Sequence, residues 1–340
     1  MRARRLGIPV FLLPEVRGGS RFHATHTGGA LLRILKGIRV VRRTIRQWDP
    51  AVIHANSPRA GIVAGAATVG AATKCIVHVR DVLRPGALPA LVRRFILMRA
   101  RLIIANSYYT LDQFRPMSTP SVVIPSPIDI ARFTPDRFSR HEERAALRLA
   151  PGELVLTIVG QITPWKRQDF ALEVFKLLIR RRHNCRLLIA GEPRFIDSGA
   201  TDDNLQFEAN LRDEIRRLGS SVVALGHRAD IERIYAATDI LLQTSKGEPF
   251  GRTIVEAMAM GCCVVASDHG GPRETISSET DGFLVDPDDV ERWVDLLDRL
   301  ADDPSLRARV GGNGKQRAQG YAAEIVGRRL ADAYEAVIAG

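Results

Sequence analysis

Gly247-Glu248-Pro249-Phe250-Gly251-Arg252-Thr253-Ile254-Val255-Glu256-Ala257-Met258 sets two carboxylates on either side of a Pro-Phe-Gly turn, with seven residues between them. Glu248 falls on a loop, and Glu256 falls inside a run of good helix formers that begins near Arg252 and closes at Gly261. The turn at Gly251 leaves the first backbone N–H groups of that helix without intrahelical partners, an end that suits an anion. Carboxylates beside an anion site repel the anion and accept hydrogen bonds from hydroxyls. A ligand with phosphate in the middle and hydroxyls at both ends, such as a nucleoside diphosphate sugar, fits that pattern. Without such a ligand, the same stretch reads as a surface helix with solvated Glu residues.

The stretch resembles the Glu-x7-Glu motif of retaining GT-B glycosyltransferases, the glycosyltransferase family 4 (group 1) class. The resemblance implies that Glu248 contacts hydroxyls of the donor sugar and that Glu256 binds the nucleotide ribose. Pro249, Phe250, Gly251 and Arg252 then belong to the donor-binding turn.

Upstream, Gly160-Gln161-Ile162-Thr163-Pro164-Trp165-Lys166-Arg167 follows an apolar strand and opens a helix, the arrangement of a phosphate site. It resembles the family's Gly-Arg-x-x-x-x-Lys motif, which implies that Lys166 neutralises the diphosphate. Gln161 stands where the family has Arg, so one of two expected charges is absent, and Arg167 is the candidate to compensate. Leu225-Gly226-His227-Arg228-Ala229-Asp230-Ile231 resembles the segment that lines the nucleotide base. Gly226 and His227 are its expected donor contacts, and Asp230 reads equally well as a helix N-cap. In Asp268-His269-Gly270-Gly271-Pro272, Gly270 and Gly271 permit close backbone approach to a ligand, or simply make a turn.

The run Cys75-Ile76-Val77-His78-Val79-Arg80-Asp81 is a strand ending in polar residues. The carboxyl ends of parallel strands are where ligands gather. His78 resembles the family's active-site histidine; its alternative is a satisfied core histidine. Arg80 and Asp81, with His54 and Asn56 at another strand end, are acceptor-side candidates. Asn106-Ser107 reads as a helix cap.

Short continuous apolar runs alternate with helical patterns along the whole chain, the signature of parallel sheets buried on both faces. Expected early elements are a strand at Ile8–Leu13, a helix at Gly29–Gln47 and strands at Val52–Ala55, Cys75–Val79, Leu102–Ala105 and Val122–Ile124. A second set follows with strands at Leu154–Val159, Cys185–Ala190, Val222–Leu225, Ile240–Gln243, Cys263–Ala266 and Gly282–Val285. Together these predict an α/β protein, which the resemblance makes GT-B: two Rossmann-like parallel-sheet domains facing across a cleft. The first domain, 1–130, lacks the family's usual first strand and Gly-Gly loop. Gly18-Gly19 and Gly28-Gly29 do not follow a central apolar strand. A linker at 131–150, a nucleotide-sugar-binding domain at 151–320 and a helix at 321–340 returning to the first domain complete the expectation.

The 340 residues are 45% hydrophobic and 26% charged, ordinary for a globular protein, with a net charge of +11. No nucleic-acid motif accompanies the positive charge, so nucleic acid is not an expected partner. Cys75, Cys185, Cys262 and Cys263 show no C-x-x-C spacing and read as reduced, buried thiols of a cytoplasmic protein. No D-x-D-like metal site stands out, and no permanently bound cofactor is expected. Lys36, Arg39, Arg43 and Arg46 oppose Ile34, Ile38, Val41 and Ile45 on one helix. A packing helix with a solvated face is the favoured reading, and peripheral contact with an anionic membrane surface is the other. The sequence thus points to a retaining hexosyltransferase acting on a glycan, lipid-linked or small-molecule hydroxyl, with His78, Lys166 and Glu248 as catalytic candidates. A catalytically silent sugar-nucleotide-binding subunit and a two-domain epimerase are the competing readings.

Overall fold

The apolar runs pair as parallel strands in two separate sheets. The computed structural model describes residues 7–10, 13, 27–83, 85–193 and 202–340. The chain divides into two units: one holds the described residues through Ala105, Leu111–Val123 and Ala331–Gly340, the other Asn106–Thr110 and Ile124–Leu330.

In the first unit, β1 (Val52–Ala55), β2 (Lys74–Val79), β3 (Leu102–Ala105) and β4 (Ser121–Val123) lie side by side in chain order, all parallel. Cys75, Val77 and Val79 of β2 join Ile103 and Ala105 of β3 in one core. Helices Pro58–Ala67 and Ala87–Arg99 cover it, with Ala64 and Ile96 buried, and Leu111 and Phe114 join the same core. The expected strand at Ile8–Leu13 is a correction. Ile8, Pro9, Val10 and Leu13 form no strand, and Ile8, Val10 and Leu13 are exposed. Pro9 has no N–H to give a ladder, which breaks the run's capacity to pair. Residues 11 and 12 and the Gly18-Gly19 pair lie outside the described residues. The expected helix at Gly29–Gln47 is present as the helix Thr27–Trp48, with Gly29 inside it.

In the second unit the strands are β5 (Leu154–Val159), β6 (Cys185–Ala190), β7 (Val222–Gly226), β8 (Ile240–Gln243), β9 (Cys263–Ser267) and β10 (Phe283–Val285). Their order across the sheet is β10-β9-β8-β5-β6-β7. The chain therefore runs outward from β5 through β6 to β7, returns to the other side of β5 and runs outward again. The point of reversal lies between β5 and β8. Alternation along the strands feeds both faces: Ile240, Leu242, Cys263 and Val265 pack on one side, and Leu241, Val264 and Ala266 on the other. Both faces are covered, one by helices Gln168–Arg181 and Val290–Asp302, the other by Arg252–Ala259.

Residues 131–150 carry a short 3-10 turn at Pro135–Arg137 and a helix at Arg140–Ala146, and belong to the second unit. The last helix, Ala323–Ala339, contributes its residues from Ala331 onward to the first unit, where Lys74 Nζ donates to Val337 O at 2.9 Å. All four cysteines are free and buried. Burial pushes the Cys75 thiol up to about 11 and those of Cys262 and Cys263 up to about 12. Among the described residues no helix is long and apolar enough to cross a membrane.

Candidate active site

In an open parallel sheet, adjacent loops on the two sides of a reversal point separate and leave a crevice at the strands' carboxyl ends. β5 ends in Gly160-Gln161 and leads to Lys166, and β8 ends in Gln243 and leads to Glu248. The two loops are tied together by Thr244, whose hydroxyl donates to Lys166 O at 2.9 Å and is 3.0 Å from Arg167 O.

There Lys166 Nζ meets Glu248 Oε2 at 2.7 Å, with both side chains largely buried. Gln243 Nε2 donates to the same oxygen at 2.7 Å. The Gln243 amide is held in that orientation because its Oε1 accepts Ser245 N at 2.8 Å. The stem of Lys166 lies along Gly160, where a Cβ would be 3.5 Å from its Cδ, and its ammonium sits 4.2 Å from the Trp165 ring centroid. Gln243 was not among the expected site residues. A polar side chain ending an apolar strand at its carboxyl end was the available signal.

Gly160 and Gln161 also line a cavity of about 270 Å³, with Ala190, Gly191, His227, Arg228 and Glu256 around it. Lys166, Glu248 and Glu256 are thus linked through Gly160: Lys166, paired with Glu248, runs along it, and Glu256 lines the same cavity. The cavity floor depends on Gly191, which sequence reasoning missed. A Cβ there would lie 1.9 Å from Gly160 O, so only glycine lets the ends of β5 and β6 come so close. Glu256 is 7% exposed. Arg252 Nη2 donates to its Oε1 at 3.0 Å, and Tyr235 O–H reaches Oε2 at 3.4 Å. Burial raises the Glu256 carboxyl above its ordinary value, with Arg252 opposing the shift. Burial, and secondarily Glu256, hold the Tyr235 phenol well above its own, so it stays a donor.

Gly251, at φ +90°, turns the chain into the helix Arg252–Ala259, whose Ile254 N already closes on Gly251 O at 3.0 Å. The first helical amides, of Arg252 and Thr253, precede that closure. The other expected donor residues have these surroundings. The Phe250 ring is buried against Tyr321, 5.7 Å between centroids, so it anchors the turn from below. Pro249 presents its carbonyl to Ser107 Oγ at 2.6 Å. Gly270 and Gly271 are packing glycines. A Cβ on Gly270 would lie 2.7 Å from Glu248 O, and one on Gly271 2.5 Å from Pro249 O; Gly271 N donates to Glu248 O at 2.8 Å. The close approach they permit is to the Glu248 loop itself. Arg167, left-handed at φ +55°, turns to Pro287 O and Asp288 and stacks 4.4 Å over Phe170, so its charge is engaged with those groups. Asp230 occupies an N-cap position without a capping bond and pairs with Arg228 at 2.7 Å. Gly226, at φ +62°, accepts Gly191 N at 2.8 Å, while His227 lines the cavity.

In the first unit, His78 is 5% exposed at the end of β2, and its Nδ1 lies 3.2 Å from His54 Nε2. His54 Nδ1 lies 2.6 Å from the hydroxyl of Tyr334, on the last helix. Burial, with Arg80 and then His54, lowers His78 to about 3; burial and Arg80 lower His54 as well. Asn56, Arg80 and Asp81 are exposed at the same strand ends. Ser107 caps the helix Tyr108–Asp112 as expected, accepting from Thr110 N at 3.0 Å. Among the described residues there is no group of three or more His, Cys, Asp or Glu side chains arranged to hold a metal ion.

Residues 139–317 match the model of the glycosyl transferases group 1, and residues 5–132 match that of glycosyltransferase family 4. The chain belongs to this family. It is 30% identical over 307 residues to a GDP-mannose-dependent monoacylated alpha-(1-6)-phosphatidylinositol monomannoside mannosyltransferase of Corynebacterium glutamicum, covering 84% of this chain and 76% of that one. It is 29% identical over 250 residues to the lipopolysaccharide core biosynthesis mannosyltransferase LpsB of Rhizobium meliloti, covering 72% of this chain and 68% of the relative. The chain spans 68%, 58% and 49% of the lengths of three curated relatives it matches. Its fold matches that of Anabaena Alr3699/HepE, solved with UDP and glucose, at a TM-score of 0.82 and 24% identity over 98% of this chain and 88% of that one. The family member described here therefore has the GT-B fold that its sequence implied.

Proposed function

We propose that this family member transfers a hexosyl group, with retention, from a nucleoside diphosphate sugar to an acceptor hydroxyl. The observation that carries the reading is the meeting of Lys166 and Glu248 at the reversal point of the second sheet, beside Gly160, which lines a cavity together with Glu256. Loss of a diphosphate from the anomeric carbon builds negative charge on the leaving group. A buried ammonium and the opening amides of a helix are preorganised for that charge. Lys166 and the turn at Gly251 take this role, Glu248 orients the sugar hydroxyls, and Glu256 holds the ribose. His227 and the backbone around Gly226 border the base, and Gln161 is a neutral contact in place of a second cation. Domains at 1–130 and 151–320, joined by 131–150, divide acceptor from donor in this reading, with His78, His54, Asn56, Arg80 and Asp81 on the acceptor side.

Two relatives are named as mannosyltransferases, one for lipopolysaccharide core and one for an acylated phosphatidylinositol mannoside. They support a glycan or lipid-linked acceptor, with small-molecule hydroxyls as the further class. The helix Thr27–Trp48 exposes Leu31, Leu32 and Leu35 beside Lys36, Arg39 and Arg43, which suits contact with an anionic membrane surface; sedimentation with anionic and neutral vesicles tests that contact. The donor reading is tested by titrating UDP- and GDP-hexoses calorimetrically and following transfer to extracted lipid and glycan acceptors by mass spectrometry. Donor binding with a glycosylated product supports it. Binding without product selects the silent subunit, and no binding of any donor overturns the reading.

A further inference from the structure

Tyr334, His54 and His78 form an unbroken chain of three polar groups, and the chain has a direction. The separation of 2.6 Å between Tyr334 Oη and His54 Nδ1 lies inside the range of hydroxyl donors and below that of N–H donors. Tyr334 therefore donates, and His54 Nδ1 accepts with its lone pair. A neutral imidazole with one bare nitrogen carries its proton on the other, so His54 Nε2–H donates across 3.2 Å to His78 Nδ1. The same rule then places the proton of His78 on Nε2. Both rings stay neutral because burial and the guanidinium of Arg80 disfavour their charged forms. His78 Nε2 is buried and has no partner among the described residues.

We infer that Tyr334 and His54 are positioning residues that lock His78 as the Nε2–H tautomer, so that it presents a neutral hydrogen-bond donor to a substrate oxygen. An unpaired buried N–H costs free energy until an oxygen reaches it, which favours the bound state over the free one. The clause about substrate rests on the transferase reading above; the tautomer itself does not. Tyr334 reaches this site from 280 residues along the chain, by way of the last helix.

The test is nitrogen NMR of protein labelled at histidine, with the His78 signals assigned by their loss in His78→Gln. The expected wild-type result at neutral pH is a protonated Nε2 and a bare Nδ1 on His78. In Tyr334→Phe, His54 loses its ordered donor, and the His78 signals move toward a mixture of tautomers. The same variant loses about tenfold in kcat, the effect of one misdirected hydrogen bond. A wild-type His78 protonated on Nδ1, or a Tyr334→Phe spectrum identical to wild type, overturns the inference, as does an unchanged kcat. The wild-type spectrum needs no substrate and no turnover. A failure of donor binding therefore sinks the transferase reading while the tautomer assignment is judged separately.

Discussion

Lys166 Nζ stands 2.7 Å from Glu248 Oε2, and that oxygen is also bonded by Gln243 Nε2 at 2.7 Å. One carboxylate oxygen thus holds two donors, one of them a cation that the proposed chemistry needs for a diphosphate. The ammonium has three hydrogens and is not saturated by Glu248.

The two halves of this pair have opposite effects on a bare nucleoside diphosphate. Lys166→Met removes the charge proposed to meet the diphosphate and is expected to weaken its binding by about 10- to 100-fold, and it leaves Glu248 buried with only neutral donors, at a cost of about 2–4 kcal/mol in stability. Glu248→Gln frees Lys166 from its counter-charge, so the bare diphosphate binds as tightly as in wild type or tighter. The intact sugar donor is expected to lose affinity, because its hydroxyls exchange a charged acceptor for a weaker amide oxygen. Calorimetry of the two ligands against the two variants checks this. Equal losses for both ligands in Glu248→Gln would show that Glu248 does not distinguish sugar from phosphate.

The Glu248 loop also depends on glycine for its shape. A Cβ at Gly271 would lie 2.5 Å from Pro249 O and 2.7 Å from Phe250 Cα, both backbone atoms that cannot swing away. Gly271→Ala therefore overpacks the turn by about 1–3 kcal/mol, with a fall in Tm of roughly 2–12 °C. Gly312, inside the helix Pro304–Ala318, would place a Cβ in open space, so Gly312→Ala gains about 0.5–1 kcal/mol of helix propensity. Differential scanning calorimetry of the pair should move Tm in opposite directions.

The second sheet was legible because its strands are continuous apolar runs, and a strand buried on both faces needs nothing else in its sequence. Ile8–Leu13 shows the limit of that rule: the run is apolar, but Pro9 withholds the ladder donor and the described residues stay exposed. The helix Arg140–Ala146 did carry a local sign, Ser139-Arg140-His141-Glu142. Ser139 Oγ accepts from Glu142 N at 3.3 Å, half of a capping box hidden in a polar stretch. The carboxylate spacing, Lys166 and the strand-end histidine could be read as chemistry. What could not be read was partnership: Gln243 on Glu248, Gly191 under Gly160 and Tyr334 on His54 are all set by tertiary structure between distant residues. The glycine pair at Gly270 was ambiguous for the same reason, because its neighbour is another loop of the same chain.

The histidine chain makes the first unit sensitive to acid. The folded value of His78 is lowered, by burial first, from 6.5 to about 3. Below its unfolded value the unfolded chain takes up a proton that the native state refuses, so stability falls as pH drops from 6.5 towards 3. The full contribution is present above the unfolded value. A drop of about one and a half pH units below that value costs roughly 2 kcal/mol through this group. Urea midpoints of wild type and His78→Gln, measured between neutral pH and about pH 5, are expected to converge as pH falls, because the variant has no imidazole to refuse the proton. Parallel curves would place the acid sensitivity elsewhere.

Glu256 is the mirror case. Burial raises its carboxyl, so the native state holds the proton more readily than the unfolded chain does. Between the unfolded value and the raised folded value the native state binds more protons, and stability falls as pH rises through that window. At neutral pH wild type therefore carries a buried carboxylate that Arg252, itself 64% exposed, only partly compensates. Glu256→Gln removes the charge and keeps the shape, and an amide still accepts from Tyr235. It should be more stable than wild type at neutral pH and equal to it at acid pH, where the wild-type carboxyl is protonated. The same substitution should weaken nucleotide binding, since a carboxylate accepts ribose hydroxyls more strongly than an amide does. Tm measured at both pH values, with nucleotide affinity at neutral pH, reads both halves. The stability gain reports the buried charge, and the loss of affinity reports the ribose contact; an unchanged nucleotide affinity would leave Glu256 without that role.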